Sequence, residues 1–180
     1  MTTRDPFARF GAVPLFTLTS TDVTAAGPLG AGQYNRRAGG GNASPQLAWS
    51  GFPPETASFT ITVFDPDAAA PGFWHWILAD LPASVTSLDA GAGAPDASPP
   101  AGAITLRNDA GQPGFYGAGP PPGTGVHRYQ FVVHALDVPS LGIDAQATPD
   151  ELMAALRGHT LARAALEALG VHGGAAPAQS

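Results

Sequence analysis

Apolar and polar side chains alternate along residues 57–65 (ASFTITVFD), with Phe59, Ile61 and Val63 on one side and Thr60 and Thr62 on the other. That two-residue period predicts a strand whose faces differ in character. Phe73–Asp80 (FWHWILAD) and His127–Asp137 (HRYQFVVHALD) are almost continuously apolar, the pattern of strands buried on both faces of a central sheet. Val13–Thr19 reads as a further strand, and Gly27–Gly41, which carries Arg36 and Arg37, as a Gly-rich loop or hairpin. Ala83–Gly102 is rich in Ala, Gly, Pro and Ser and reads as a long loop or edge. Near the carboxy end, Thr148-Pro149-Asp150-Glu151 predicts a helix start: a Thr N-cap, Pro in the first turn and Glu closing a capping box. Leu152, Leu156, Ala162/Arg163 and Leu166 follow at helical spacing, so the helix is expected to run to Gly170 unless Gly158 divides it in two. The expected class is mostly β, with antiparallel strands and one carboxy-terminal helix.

The chain of 180 residues suits a single core. The boundaries expected are an arm over 1–12, one domain over 13–170 and a flexible tail over 171–180. The apolar run Val13–Leu18 is too short for a signal segment or a membrane span, so a soluble cytoplasmic protein is expected. Gly 23 and Pro 19 point to many turns rather than a helical bundle. A net charge of -6 argues against binding to a nucleic-acid backbone. Cysteine is absent, which excludes disulfides, Cys–zinc sites and thiolate chemistry. Lysine is absent too, so Schiff-base and phosphate-loop lysines are excluded, and any anion must be held by Arg, His, hydroxyls, backbone N–H groups or a metal.

Three polar residues sit in apolar strand contexts: Asp65, followed by Pro66 and Asp67; His75, between Trp74 and Trp76; and His127, after the loop 119–126. Burying such groups without partners is costly, whereas strand ends leave them beside a cleft. If they converge, the carboxylate would orient and charge an imidazole, giving a local anion site in an acidic chain. The competing reading of Asp65-Pro66-Asp67 is turn chemistry alone. His134 and His159 read as structural, Trp74 and Trp76 as core, and His172 is given no role. The run 111–125 (GQPGFYGAGPPPGTG) combines rigid prolines with glycines that permit close backbone approach, and it leads into His127 as one wall of a pocket.

Together, Gly40-Gly41-Asn42-Ala43-Ser44-Pro45, Asp65-Pro66-Asp67-Ala68, His75-Trp76 and Gly119-Pro120-Pro121…Gly123…His127-Arg128-Tyr129 resemble the phosphatidylethanolamine-binding protein family, and most closely its bacterial branch, similar to Raf kinase inhibitor protein. The resemblance spans about Leu15 to Gly170. It implies a large central sheet packed on a smaller one, with the helix at the carboxy-terminal side, and a small pocket for phosphate, phosphoethanolamine or acetate-like anions. Asp65, His75 and His127 match the pocket acid and its two histidines. Ala118, Gly119, Pro120 and Pro121 match the loop lining the mouth, Tyr129 the neighbouring aromatic, and Asp67 the second acid of the turn. Asn42, Ser44 and Pro45 match a nearby loop read as mainly structural. Two departures stand out: Ala69 where the family usually has proline, and Gly119 where bacterial members commonly have cysteine.

The expectation is a non-enzymatic binding or regulatory protein that takes a phosphate or phosphoethanolamine group, uses no cofactor, and modulates a kinase or protease partner. Homodimerisation is implied by the same resemblance. The alternative is a small-molecule enzyme, an isomerase, cyclase or hydrolase, using Asp65, His75 and His127 for general acid–base catalysis. A two-His, one-carboxylate metal site is the third reading.

Overall fold

The computed structural model describes residues 6–7 and 11–174. Most of the expected arm 1–12, and residues 175–180 of the expected tail, lie outside the described residues. The strands are β1 (Thr17–Thr19), β2 (Leu47–Ser50), β3 (Ser58–Asp65), β4 (Phe73–Pro82), β5 (Ser87–Leu88), β6 (Ile104–Thr105), β7 (His127–Leu136) and β8 (Thr160–Gly170), and the helix is α1 (Pro149–His159). They form a five-stranded sheet in the order β6-β4-β3-β7-β8 and a three-stranded sheet in the order β1-β2-β5. Every pairing within them is antiparallel. The strands expected at 57–65, 73–80 and 127–137 form the middle of the large sheet. Leu47–Ser50 had no periodic signal long enough to mark it.

The large sheet is buried on both faces, which is why its central strands are so apolar. On one face Phe59, Ile61, Val63, Trp76, Leu78, Phe131 and Val133 pack against Leu47 and Trp49 of the small sheet. On the other, Phe64, Trp74, Ile77, Val132 and Leu136 pack against Leu152 and Leu156 of α1 and against Phe7. Trp74 and Trp76 are therefore core, on opposite faces, as expected from the sequence. Thr60 and Thr62 lie beneath the second layer and are fully buried.

The carboxy-terminal helix is shorter than expected. Its start is as read: Thr148 Oγ1 accepts from the Glu151 N–H and Glu151 reaches back to Thr148, forming a capping box. It then ends at His159, and 160–170 is strand β8, paired along β7 from Thr160 to Gly170. Ala162, Ala164, Leu166 and Ala168 alternate into the core at a two-residue period. Their side chains favour helix in isolation, but the open edge of β7 supplies a full ladder of partners, and tertiary pairing outweighs a propensity of a few tenths of a kcal/mol per residue. Gly170 is thus no helix cap: it pairs with His127 and lies so close to the Tyr129 ring that a Cβ would come within 2.6 Å of it. Gly27–Gly41 holds two 3-10 turns, Ala31–Gln33 and Arg36–Ala38, rather than a hairpin. Among the described residues no helix is long and apolar enough to cross a membrane.

Candidate functional site

Because β3 runs antiparallel to both β4 and β7, the end of β3 lies beside the beginnings of the other two. Asp65 is the last residue of β3, His75 the third of β4 and His127 the first of β7. Topology alone thus gathers three residues distant in sequence at one end of one sheet. All three line a cavity of about 620 Å³. They are buried, at 3%, 5% and 2% exposure respectively, so they meet the cavity rather than bulk solvent.

A β-bulge completes the gathering. Val63 pairs with Trp76 and Phe64 with Trp74, leaving His75 as the extra residue between two rungs. Bulges bend a strand and re-aim the side chain they carry. The His75 ring lies edge-on to Tyr129 at 5.1 Å and roughly parallel to Tyr116. Its Nδ1–H donates to the Tyr116 carbonyl. Its Nε2 has no hydrogen-bond partner among the described residues. Burial holds the His75 pKa below the ordinary histidine value, against the opposing pull of the Tyr116 carbonyl and the Asp65 charge.

Asp65 accepts at both oxygens. Oδ1 takes the N–H groups of Asp67 and Ala68 at 2.8 and 3.0 Å, so the turn chemistry is real. Oδ2 accepts from His127 Nδ1–H at 2.7 Å. The two readings of this acid, turn and site, therefore describe one residue doing both. His127 Nε2 meets Thr124 Oγ1 at 2.9 Å, and the same hydroxyl lies 2.9 Å from the Pro121 carbonyl. If the hydroxyl donates to Pro121, the imidazole donates to the hydroxyl and is charged; if it donates to Nε2, the imidazole is neutral. The Tyr129 hydroxyl is pushed far above its ordinary pKa by burial and by the Asp65 charge, so it stays a phenol.

Asp67 lines the cavity, but its carboxylate is committed to Arg128: Nε, Nη2 and the backbone N–H all donate to it at 2.8–2.9 Å. That hydrogen bonding holds Asp67 below the usual carboxylate range. Gly119, Pro120 and Pro121 line the cavity. Ala118 does not: it is 1% exposed, and it bonds through its backbone to Gln33 and Asn35. The glycines of this loop serve a packing need, since a Cβ on Gly117 or Gly119 would lie 2.5 or 2.3 Å from Asn35 atoms. His134 is buried without partners, His159 pairs with Asp137 at 2.8 Å, and His172 Nδ1 bonds the Pro120 carbonyl at 3.0 Å.

Phe73, Tyr116, Thr124 and Asn35 also line the cavity and were not singled out in the sequence. Thr124 was findable three residues before His127, and Tyr116 inside the Gly/Pro run; Asn35 carried no signal. Asn42 proves to be a clamp. In a left-handed conformation (φ 54), its side chain accepts from Gly117 N–H at 2.8 Å and donates to Phe115 carbonyl at 3.4 Å. It thereby fixes the segment whose Tyr116 carbonyl orients His75, which is the physical content of its motif. Among the described residues no three of His, Cys, Asp and Glu are grouped to hold a metal ion. Both Asp65 oxygens and His127 Nδ1 are engaged with one another and with the turn, so a metal ion held by Asp65 and His127 Nδ1 would have to displace those hydrogen bonds.

The family profile described as phosphatidylethanolamine-binding protein matches residues 19–170. The UPF0098 protein YbcL of Escherichia coli K12 is 48% identical over 111 residues, which is 61% of this chain and 61% of that protein's length. UPF0098 protein YbhB of the same organism is 40% identical over 131 residues, 72% of this chain and 82% of YbhB. The crystal structure of E. coli YbcL, presented as a new member of the mammalian PEBP family, superposes with a TM-score of 0.82 at 38% identity, covering 86% of this chain and 97% of that one. The homologue CT736 of Chlamydia trachomatis gives a TM-score of 0.73 at 31% identity, covering 86% and 96%. With both sheets, the helix and the motif residues in place, the chain belongs to the phosphatidylethanolamine-binding protein family.

Proposed function

We propose that this protein is a binding module whose cavity takes a small oxyanion, a phosphate or a phosphoethanolamine head group, at His75 and His127. The observation that carries the reading is His75 Nε2, which has no hydrogen-bond partner among the described residues, on a ring that lines a cavity of about 620 Å³ beside a second imidazole. The Asp65 charge is offset in part by the three donors that it accepts from, two N–H groups and His127. Since Nδ1–H of His75 is committed to a carbonyl, a hydrogen bond from this ring to the anion needs a proton on Nε2. Burial disfavours that proton in the free protein, so anion and proton bind together. Modulation of a kinase or protease and pairing of two copies are carried as parts of the same reading by family analogy, and cytoplasmic residence by the short apolar run at Val13–Leu18.

Affinity for phosphate and phosphoethanolamine is expected to rise as pH falls through the histidine range, with net proton uptake on binding. Calorimetry at pH 6 and 8, in buffers of different ionisation enthalpy, reads both quantities. His127→Ala should weaken binding roughly tenfold or more, the cost of losing one charge-assisted hydrogen bond, while leaving the far-ultraviolet spectrum intact. Indifference to both anions at pH 6 sinks the reading.

One observation favours a second reading as an enzyme. Asp65 Oδ2, His127 and Thr124 Oγ1 form a chain with links of 2.7 and 2.9 Å, the arrangement of orienter, base and nucleophile. Thr124 Oγ1 would attack an ester carbonyl, pass its proton to His127 Nε2 and expel the alcohol, with water releasing the acid. An activated aryl ester should then be hydrolysed with a Thr124→Val-sensitive, Asp65-dependent rate. A rate equal to background, or unchanged by Thr124→Val, removes it.

A further inference from the structure

A second cavity, of about 720 Å³, lies against the first and shares with it Asn35, Phe73 and Tyr116. Its wall carries Arg36 and Arg37. Both arginines are exposed, and neither makes an ion pair or side-chain hydrogen bond among the described residues. Asp96 also lines this groove but bonds to neither. An adjacent pair of uncommitted guanidinium groups is unusual in a chain of net charge -6, and it sets a local positive field at the mouth of the site.

The arginines are not on a loose loop. They form a 3-10 turn whose N-cap, Asn35, accepts from Ala38 N–H at 2.8 Å and donates to the Gly117 carbonyl at 3.2 Å. Asn35 itself is 7% exposed and lines both cavities. The turn that presents the cations is thus tied to the same segment that orients His75. Between the two sets of groups lies an aromatic floor, with the Phe73 and Tyr116 rings 6.1 Å apart. Arg37 and Tyr116 also line a third cavity, of about 540 Å³, together with His172.

We infer that the Arg36–Arg37 groove is a second anion subsite continuous with the His75/His127 cavity, and that the ligand class is an extended small molecule with an anionic group at each end and an apolar or planar middle resting on Phe73 and Tyr116. The inference rests on the anion reading of the first cavity. A guanidinium pair offers planar bidentate donors to phosphate, carboxylate or sulfate, whereas the inner cavity is lined by imidazoles, phenols, a hydroxyl and an amide but by no arginine. One anion held inside places the other at high effective concentration near the arginines, provided the linker spans the gap.

The test compares methylphosphonate with a series of α,ω-alkane bisphosphonates of increasing length, titrated at low salt into the full chain and into the double variant Arg36→Ala/Arg37→Ala. The expected result is a gain that peaks at one linker length, roughly tenfold over methylphosphonate. The double variant loses that gain, keeps its affinity for methylphosphonate, and melts as the parent does because both side chains are exposed. High salt should shrink the gain more than the monophosphonate affinity. Bisphosphonates that bind no better than methylphosphonate at any length overturn the inference and leave the inner site standing. A gain that survives in the double variant also overturns it. If methylphosphonate itself does not bind, the anion reading fails and the second subsite goes with it.

Discussion

Replacing Asp65 with alanine should cost roughly 3–5 kcal/mol of folding stability, because the His127 ring N–H and two turn N–H groups lose their acceptor together, at about 1–3 kcal/mol for each group left unsatisfied. The His127 and Asp65 side chains are 3% and 4% exposed and 2.7 Å apart. The substitution strands a buried imidazole and also frees the two N–H groups of the turn that Oδ1 organises. Asp65→Asn keeps an acceptor for the turn but loses the charge, so a smaller loss of about 1–2 kcal/mol is expected. Urea unfolding at pH 7.5 of both variants reads the difference. An alanine variant within roughly 1 kcal/mol of the parent would show that the pair is not the keystone of this strand end.

The second large effect concerns His134, on the opposite face of the sheet from the small sheet. It is fully buried and neither ring nitrogen has a partner. The Phe7 ring lies edge-on to it at 4.5 Å, and Arg163 is its cross-strand neighbour on β8. Burial, helped by the Arg163 charge, pulls its pKa down to about 3. In the unfolded chain the same imidazole takes a proton near 6.5. Below that pH the unfolded state therefore binds one proton more than the native state. His134 imposes no such cost above pH 6.5, and stability is lost by about 1.4 kcal/mol per pH unit as the pH falls towards the native value. By pH 4 the loss from this residue is about 3 kcal/mol. His134→Leu, which removes two orphaned nitrogens from an apolar site, should be at least as stable as the parent at neutral pH and should lose much less on acidification. Denaturant midpoints of parent and variant at pH 7.5 and 4.5 make the comparison; two acid limbs that run parallel would refute it.

Much of the architecture could be read from residue patterns. The largely apolar runs at 73–80 and 127–137 announced central strands, and the alternation at 57–65 a third; these are the three adjacent strands β3, β4 and β7. Finding Asp65 and His127 at strand ends then made their meeting a matter of antiparallel geometry. What could not be read had physical causes. Residues 160–170 are rich in Ala and Leu, good helix formers that become a strand only because β7 offers its edge. The bulge at His75 depends on a register that one strand's sequence does not contain. Thr124, Tyr116 and Asn35 enter the site through loops, and Asn42 acts through another segment's backbone. The family motifs located Ala118 near the mouth, but a match of sequence does not say which way a small residue faces.

The strand β4 holds one residue more than its neighbour needs at this point. The sheet closes above and below His75 as though it were a loop of a single residue, so the imidazole is not a rung on which the fold leans. A chain built this way can trade that side chain for another without renegotiating its two flanking tryptophans, each anchored in a different layer. Chemistry at the cavity is thereby uncoupled from architecture, and one scaffold can be retuned towards new ligands by exchange at a single inserted position.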